Sequence, residues 1–154
     1  KNIMKLFNQD KKLKFIQDIP YSSKDKRTIK LKYKNHFFSI WPSFYPTSTI
    51  SVRKEFFLKF LNYLEPKKFP NLEIDARLCI FAFLSESFKI YQKNLTIYNF
   101  DYLGITSKYK KFSLNWWLKR GEAFDYMKIL MKKMKLKFIP SLDYLVTKVI
   151  NFFI

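Results

Sequence analysis

The chain has 154 residues and a formal net charge of +18; 48% of it is hydrophobic and 20% aromatic. This apolar content excludes a disordered chain and suits one domain or a piece of one, while no apolar run reaches the roughly 20 residues that a bilayer-spanning helix needs. The charge invites nucleic acid or an anionic membrane as partner, but Arg27, Arg53, Arg77 and Arg120 are the only arginines, and base readers lean on the arginine fork. Nucleic acid is therefore not the expected partner.

The chain begins at Lys1 with no leader pattern after it, and is expected to start inside a longer protein. Residues 1–8 carry Ile3, Met4 and Phe7 at helical spacing. Leu13, Phe15 and Gln17 alternate as a short strand, and 20–26 is a polar loop. Residues 28–33 set Ile29, Leu31 and Tyr33 against Thr28, Lys30 and Lys32, the pattern of a half-exposed strand. A turn at Lys34 and Asn35 leads to a second strand at 36–41, so 28–41 reads as a hairpin. His36, the only histidine, has no Cys, His or carboxylate at metal-ligand spacing and reads as a turn-edge residue.

Pro42 to Pro46 make a stiff loop. Residues 47–53 then read as a strand rich in hydroxyls: Thr47, Ser48, Thr49 and Ser51. Such a strand is either an edge or the wall of a substrate groove. Lys54 and Glu55 open an amphipathic helix through Phe56, Phe60 and Leu64.

The stretch 69–84 organises the rest. Asn71 is positioned to cap a helix, and from Leu72 onward almost every residue is apolar, so a helix buried nearly all round is expected over 72–88. Glu73 and Asp75 lie at its start, with Arg77 one turn on. Acids there are favoured by the helix dipole, and Arg77 is placed to neutralise one; the sharper reading makes one carboxylate a general base facing a cleft. Cys79 is a lone cysteine inside this helix, a small core residue suited to a reducing compartment.

Residues 89–92 and 94–100 read as two short strands. A loop at 104–107 follows, then a basic segment and a long helix capped by Ser113, interrupted by Gly121 and cationic at its end over 132–137. Pro140 breaks it, and Ser141 starts a last amphipathic helix with Leu142, Leu145, Val149, Ile150 and Phe153 on one side. Lysines before that helix make it a candidate anchor on an anionic membrane surface.

Three features occur in fixed order: the hydroxyl-rich strand ending at Val52 and Arg53, the acids Glu73 and Asp75 at a buried helix, and the loop 104–107 leading to Trp116, Trp117, Lys119, Arg120 and Glu122. Over about residues 38–126 this resembles the C-terminal half of family 2-like bacterial glycosyltransferases of the GT-A fold. The resemblance implies an α/β chain, α+β in isolation, with a small incomplete sheet, the buried helix and two C-terminal helices. Residues 1–139 would be the acceptor-side part of the catalytic domain and 140–154 the terminal helix. It implies transfer of a sugar from a nucleotide-sugar donor to a glycan or lipid-linked acceptor by inverting displacement. Asp75 would be the base, with Glu73 the alternative, because Ile74 separates two acids that the family has adjacent. Thr47, Ser48, Thr49, Arg120 and Trp117 would touch substrate. No Asp-x-Asp metal motif occurs, so Mg²⁺ or Mn²⁺ would be bound mainly by a nucleotide-binding half absent from these residues, which alone would be inactive. The implied location is cytoplasmic, peripheral to the inner face of the membrane. The rival reading is a basic nucleic-acid-binding or membrane-peripheral interaction domain without catalysis.

Overall fold

A computed structural model describes residues 2–31, 38–39, 43–99 and 109–154. They form a mixed α/β chain. Helix α1 (Asn2–Gln9) precedes β1 (Phe15–Asp18), β2 (Tyr21–Ser22) and β3 (Arg27–Thr28). A 3₁₀ turn (Thr47–Thr49) enters β4 (Ile50–Val52), followed by α2 (Lys54–Leu61) and α3 (Ile74–Leu84). Then come β5 (Phe88–Tyr91), β6 (Ile97–Tyr98), α4 (Leu114–Lys133) and α5 (Leu142–Phe152).

The strands make two three-stranded sheets, ordered β4-β1-β5 and β3-β2-β6. In the first, β1 is antiparallel to β4 and parallel to β5, with Phe15 opposite both Val52 and Phe88. Successive strand residues face opposite sides, and here both sides are covered. Phe15 joins the main core, with Phe56 and Phe60 of α2, Phe81 of α3 and Tyr126 of α4. Ile16 packs on the other side with Phe7 of α1 and Leu13. Arg53 fastens α1 there: its guanidinium donates to the carbonyls of Leu13 (2.8 Å), Phe7 and Asp10 (3.3 Å) and lies over the Phe7 ring. The parallel return from β1 to β5 runs through β4, α2 and α3, which puts the N-terminus of α3 near the turn that enters β4.

Several expectations shift. The helix expected over 72–88 is α3, Ile74–Leu84. Asn71 does not cap it; its backbone and side-chain N–H groups donate to the Glu122 carboxylate at 2.7 and 2.6 Å, and Leu72 N donates there at 3.1 Å. Glu122 thus holds the turn before α3, and the helix begins two residues later. It ends because Glu86 takes a left-handed conformation (φ 52°), with Glu86 N bonded to Phe83 O and Ser87 N to Ala82 O. That pairing closes a helix and releases the chain into β5. The expected strand 47–53 is a strand only at Ile50–Val52; Thr49 folds back on Pro46 O through both its N–H (3.0 Å) and its hydroxyl (2.7 Å). The strand expected at 28–33 is represented by β3, which stops at Thr28. Of the strand expected at 36–41 only Phe38 and Ser39 are described, and they form a turn and irregular chain instead of a strand; His36, Trp41 and the loop 104–107 lie outside the described residues.

The long helix is continuous through Gly121. A Cβ there would lie 1.9 Å from Asn151 Nδ2, so the glycine makes room for α5 rather than breaking α4. Ser113 and Ser141 cap α4 and α5 as expected, accepting from Trp116 N and Tyr144 N, both at 3.3 Å. No described helix is long and apolar enough to cross a membrane.

Arg77 does not neutralise a neighbouring acid. It is 5% exposed, and its guanidinium donates to the carbonyls of Leu64 (2.9 Å), Glu65 (3.2 Å), Phe69 (2.5 Å) and Leu72 (2.9 Å). Glu65 and Phe69 both take left-handed backbone conformations (φ 50° and 63°), uncommon for residues with side chains. The cation is therefore solvated by the α2–α3 connection it stitches. Arg77→Lys keeps the charge but cannot reach these acceptors together. It is expected to cost about 1–3 kcal/mol, read as a lower denaturation midpoint at unchanged slope.

Candidate functional site

The N-terminus of α3 opens onto a cleft of about 470 Å³, lined among others by Phe44, Tyr45, Thr47, Glu73, Asp75 and Lys119. Three elements supply its walls, and polar contacts position two of them. Gln17 of β1, fully buried, holds the loop: its Nε2 donates to Tyr45 O (2.9 Å) and Thr49 Oγ1 (3.1 Å), and its Oε1 accepts from Tyr45 N (3.1 Å). Glu122 of α4 holds the turn before α3, as described above. Lys119, one helical turn before Glu122, reaches the cleft.

The two acids have different company. Asp75 Oδ2 accepts from the Thr47 hydroxyl and its Oδ1 from Ala76 N (2.8 Å). Glu73 is ion-paired with Lys119, whose Nζ lies 2.6 Å from Oε1 and 2.5 Å from Oε2. Lys119 Nζ also sits 4.1 Å from the centroid of the Tyr109 ring. Burial raises the Tyr109 phenol above its ordinary value, helped by the negative charges of Glu73 and Glu122, so at neutral pH it remains a protonated hydrogen-bond donor. The arrangement is a carboxylate with a single hydroxyl donor beside a carboxylate–ammonium pair.

Of the residues singled out from the sequence, Thr47, Glu73 and Asp75 come together here. Thr49 is buried under the loop, bonded to Pro46 O and Gln17. Ser48 is exposed and does not line this cleft. Arg120 points to α5, where its guanidinium makes a paired contact with the Asp143 carboxylate (Nε to Oδ1 2.9 Å) and stacks over Trp116. Trp117 packs edge-on against Trp116, and its carbonyl accepts from Asn151 Nδ2 (3.1 Å). The cation at the cleft is thus Lys119 and not its neighbour Arg120, because adjacent helical positions face directions about 100° apart. Tyr109 and Tyr45 carried no sequence signal.

No cluster of three or more His, Cys, Asp and Glu able to hold a metal occurs among the described residues. Glu73 is held by an ammonium and Asp75 by two donors, a poor donor set for a divalent ion.

Cys79 lies at the floor of the cleft, 3% exposed. Burial pushes its thiol well above the usual range, and the Asp75 charge adds to the shift, so the thiolate nucleophile is suppressed. Iodoacetamide at pH 8 is expected to leave the folded chain unmodified and to alkylate Cys79 once the chain is unfolded. Mass spectrometry distinguishes the two, and rapid modification of the folded chain contradicts this account.

Comparison with protein-family models, with curated proteins and with solved structures returns no match for this chain.

Proposed function

We propose that this chain is the acceptor side of an inverting glycosyltransferase, with Asp75 as the general base and the nucleotide-binding half supplied by chain outside residues 1–154. The single observation that carries the reading is the environment of Asp75. Its carboxylate lies on a cleft beside a hydroxyl group, Thr47, instead of being consumed by Arg77. Glu73, by contrast, is occupied by Lys119.

In this reading a sugar hydroxyl of a glycan or lipid-linked acceptor takes the place of Thr47 as donor to Asp75. As its oxygen bonds to the anomeric carbon of the donor sugar, its proton passes to the carboxylate. The bond from that carbon to the nucleoside diphosphate breaks, and the electron pair leaves with the diphosphate. A hydroxyl is a poor nucleophile at neutral pH, which is why a carboxylate within hydrogen-bond reach is needed. Thr47 orients the carboxylate before the acceptor arrives. The Lys119 ammonium, shared with Glu73, and the Tyr109 phenol beside it supply donors for the negative charge that develops on the leaving group. In this reading Mg²⁺ or Mn²⁺ would be bound mainly by the donor half.

Residues 1–154 alone are expected to transfer no sugar from a panel of nucleotide-sugars. In the chain joined to its donor-binding half, Asp75→Asn is expected to lower kcat by about 10²–10⁴-fold with donor affinity unchanged. Glu73→Gln is the control, with a smaller effect through Lys119. A crippling Glu73→Gln with a tolerated Asp75→Asn reverses the roles. If both variants fold and turn over normally, the acids serve the helix terminus and the transferase reading fails.

A further inference from the structure

Helix α5 is docked the wrong way round for a helix that completes a core. Apart from Tyr144, whose ring meets Phe124 and Phe138 edge-on, the face turned inward onto α4 is polar. Thr147 is fully buried, Asp143 pairs with Arg120, Lys148 Nζ lies 2.6 Å from Asp125 Oδ1, and Asn151 reaches the Trp117 carbonyl over Gly121. Its apolar face is turned outward. Leu142, Leu145, Val146, Val149, Phe152 and Phe153 follow the 3–4 spacing of one helical stripe, and all are exposed, Phe152 at 84% and Phe153 at 80%. An ordinary surface helix does the reverse. The ion pairs and the glycine fix this orientation, so the stripe is presented by the fold rather than left over from it.

We propose that α5 lies in the plane of an anionic membrane with this stripe inserted at the level of the acyl boundary. Charge decides for this occupant. Lys132, Lys135 and Lys137 precede the helix, are exposed, and take part in no ion pair among the described residues. A second copy of the chain would bring another +18 of like charge to the contact. Anionic headgroups bring the opposite sign, and the combination of an apolar helix face with neighbouring lysines is what interfacial binding requires. Ile139, between the lysines and the helix in sequence, is a further exposed apolar side chain. The inference is independent of the transferase reading.

Co-sedimentation of the 154-residue chain with vesicles tests it. Phosphatidylglycerol–phosphatidylcholine vesicles are expected to bind at least tenfold better than phosphatidylcholine alone at low salt, with the preference lost near 0.5 M NaCl, where the Debye length falls to a few ångströms. The triple variant Val146→Ser, Val149→Ser, Phe152→Ser changes only exposed side chains and should keep the circular dichroism spectrum while losing at least tenfold in binding. Lys132→Gln with Lys135→Gln and Lys137→Gln should remove the anionic preference. Equal binding of the serine variant and the parent chain, or equal binding to neutral and anionic vesicles, overturns the proposal. So does a concentration-dependent dimer in light scattering that the serine variant abolishes while the parent chain ignores vesicles.

Discussion

The guanidinium of Arg77 is the constraint on which the arrangement of the helices depends. A buried cation must be paired or fully hydrogen-bonded, and Arg77 meets that demand with backbone carbonyls rather than with an acid. The acceptors all belong to the segment joining α2 to α3. The cation therefore converts a loop with two left-handed residues into a fixed connection. It also lies over the Phe69 and Tyr126 rings, tying that connection to α4. Because Arg77 needs no carboxylate, Glu73 and Asp75 are left for other partners at the open end of the same helix.

Helix α4 supplies the partner of Glu73 and holds the turn before α3. Lys119 and Glu122 sit one turn apart and face α3, the first on Glu73 and the second on the turn at Asn71 and Leu72. Tyr126, a turn further, is buried in the core with its hydroxyl on Tyr63 O (3.2 Å). Arg120 and Gly121 face α5 instead. One helix thus closes the cleft on one side and holds the terminal helix on the other. A change that rotates α4 would disturb both.

Strand β1 performs a similar task from within the sheet. Gln17 and Asp18 are polar and buried, and each spends its side chain on another segment's backbone. Gln17 fixes the loop at Tyr45, while Asp18 accepts from Leu95 N (3.1 Å) and Thr96 N (2.9 Å) ahead of β6. Satisfied in this way, buried polar groups specify a position instead of costing stability. The loop bearing Thr47 is placed against Asp75 by this means, together with the packing of Phe44 on Phe88 and the burial of Tyr45.

The sequence alone determined the elements whose signals are local. The caps at Ser113 and Ser141, the amphipathic period of α2 and α5, the apolar run of α3 and the short strands β5 and β6 all follow from residues within a turn or two of each other. Tertiary structure decided everything that depends on a distant partner. Arg77 stands two residues from Asp75, yet its ligands lie back in the α2–α3 connection. Asn71 has the side chain of a helix cap, yet Glu122 takes its donors and moves the helix start to Ile74. Thr47–Thr49 have the composition of a strand, yet Pro46 and Gln17 take the hydrogen bonds of Thr49 and wind them into a 3₁₀ turn. Gly121 reads as a helix breaker until Asn151 fills the space beside it. Lys119 and Arg120 are adjacent cations, and only the rotation of α4 against α3 and α5 assigns one to the cleft and the other to the terminal helix. Periodicity records which face a residue shares with its neighbours; which partner waits on that face is set by packing between segments dozens of residues apart.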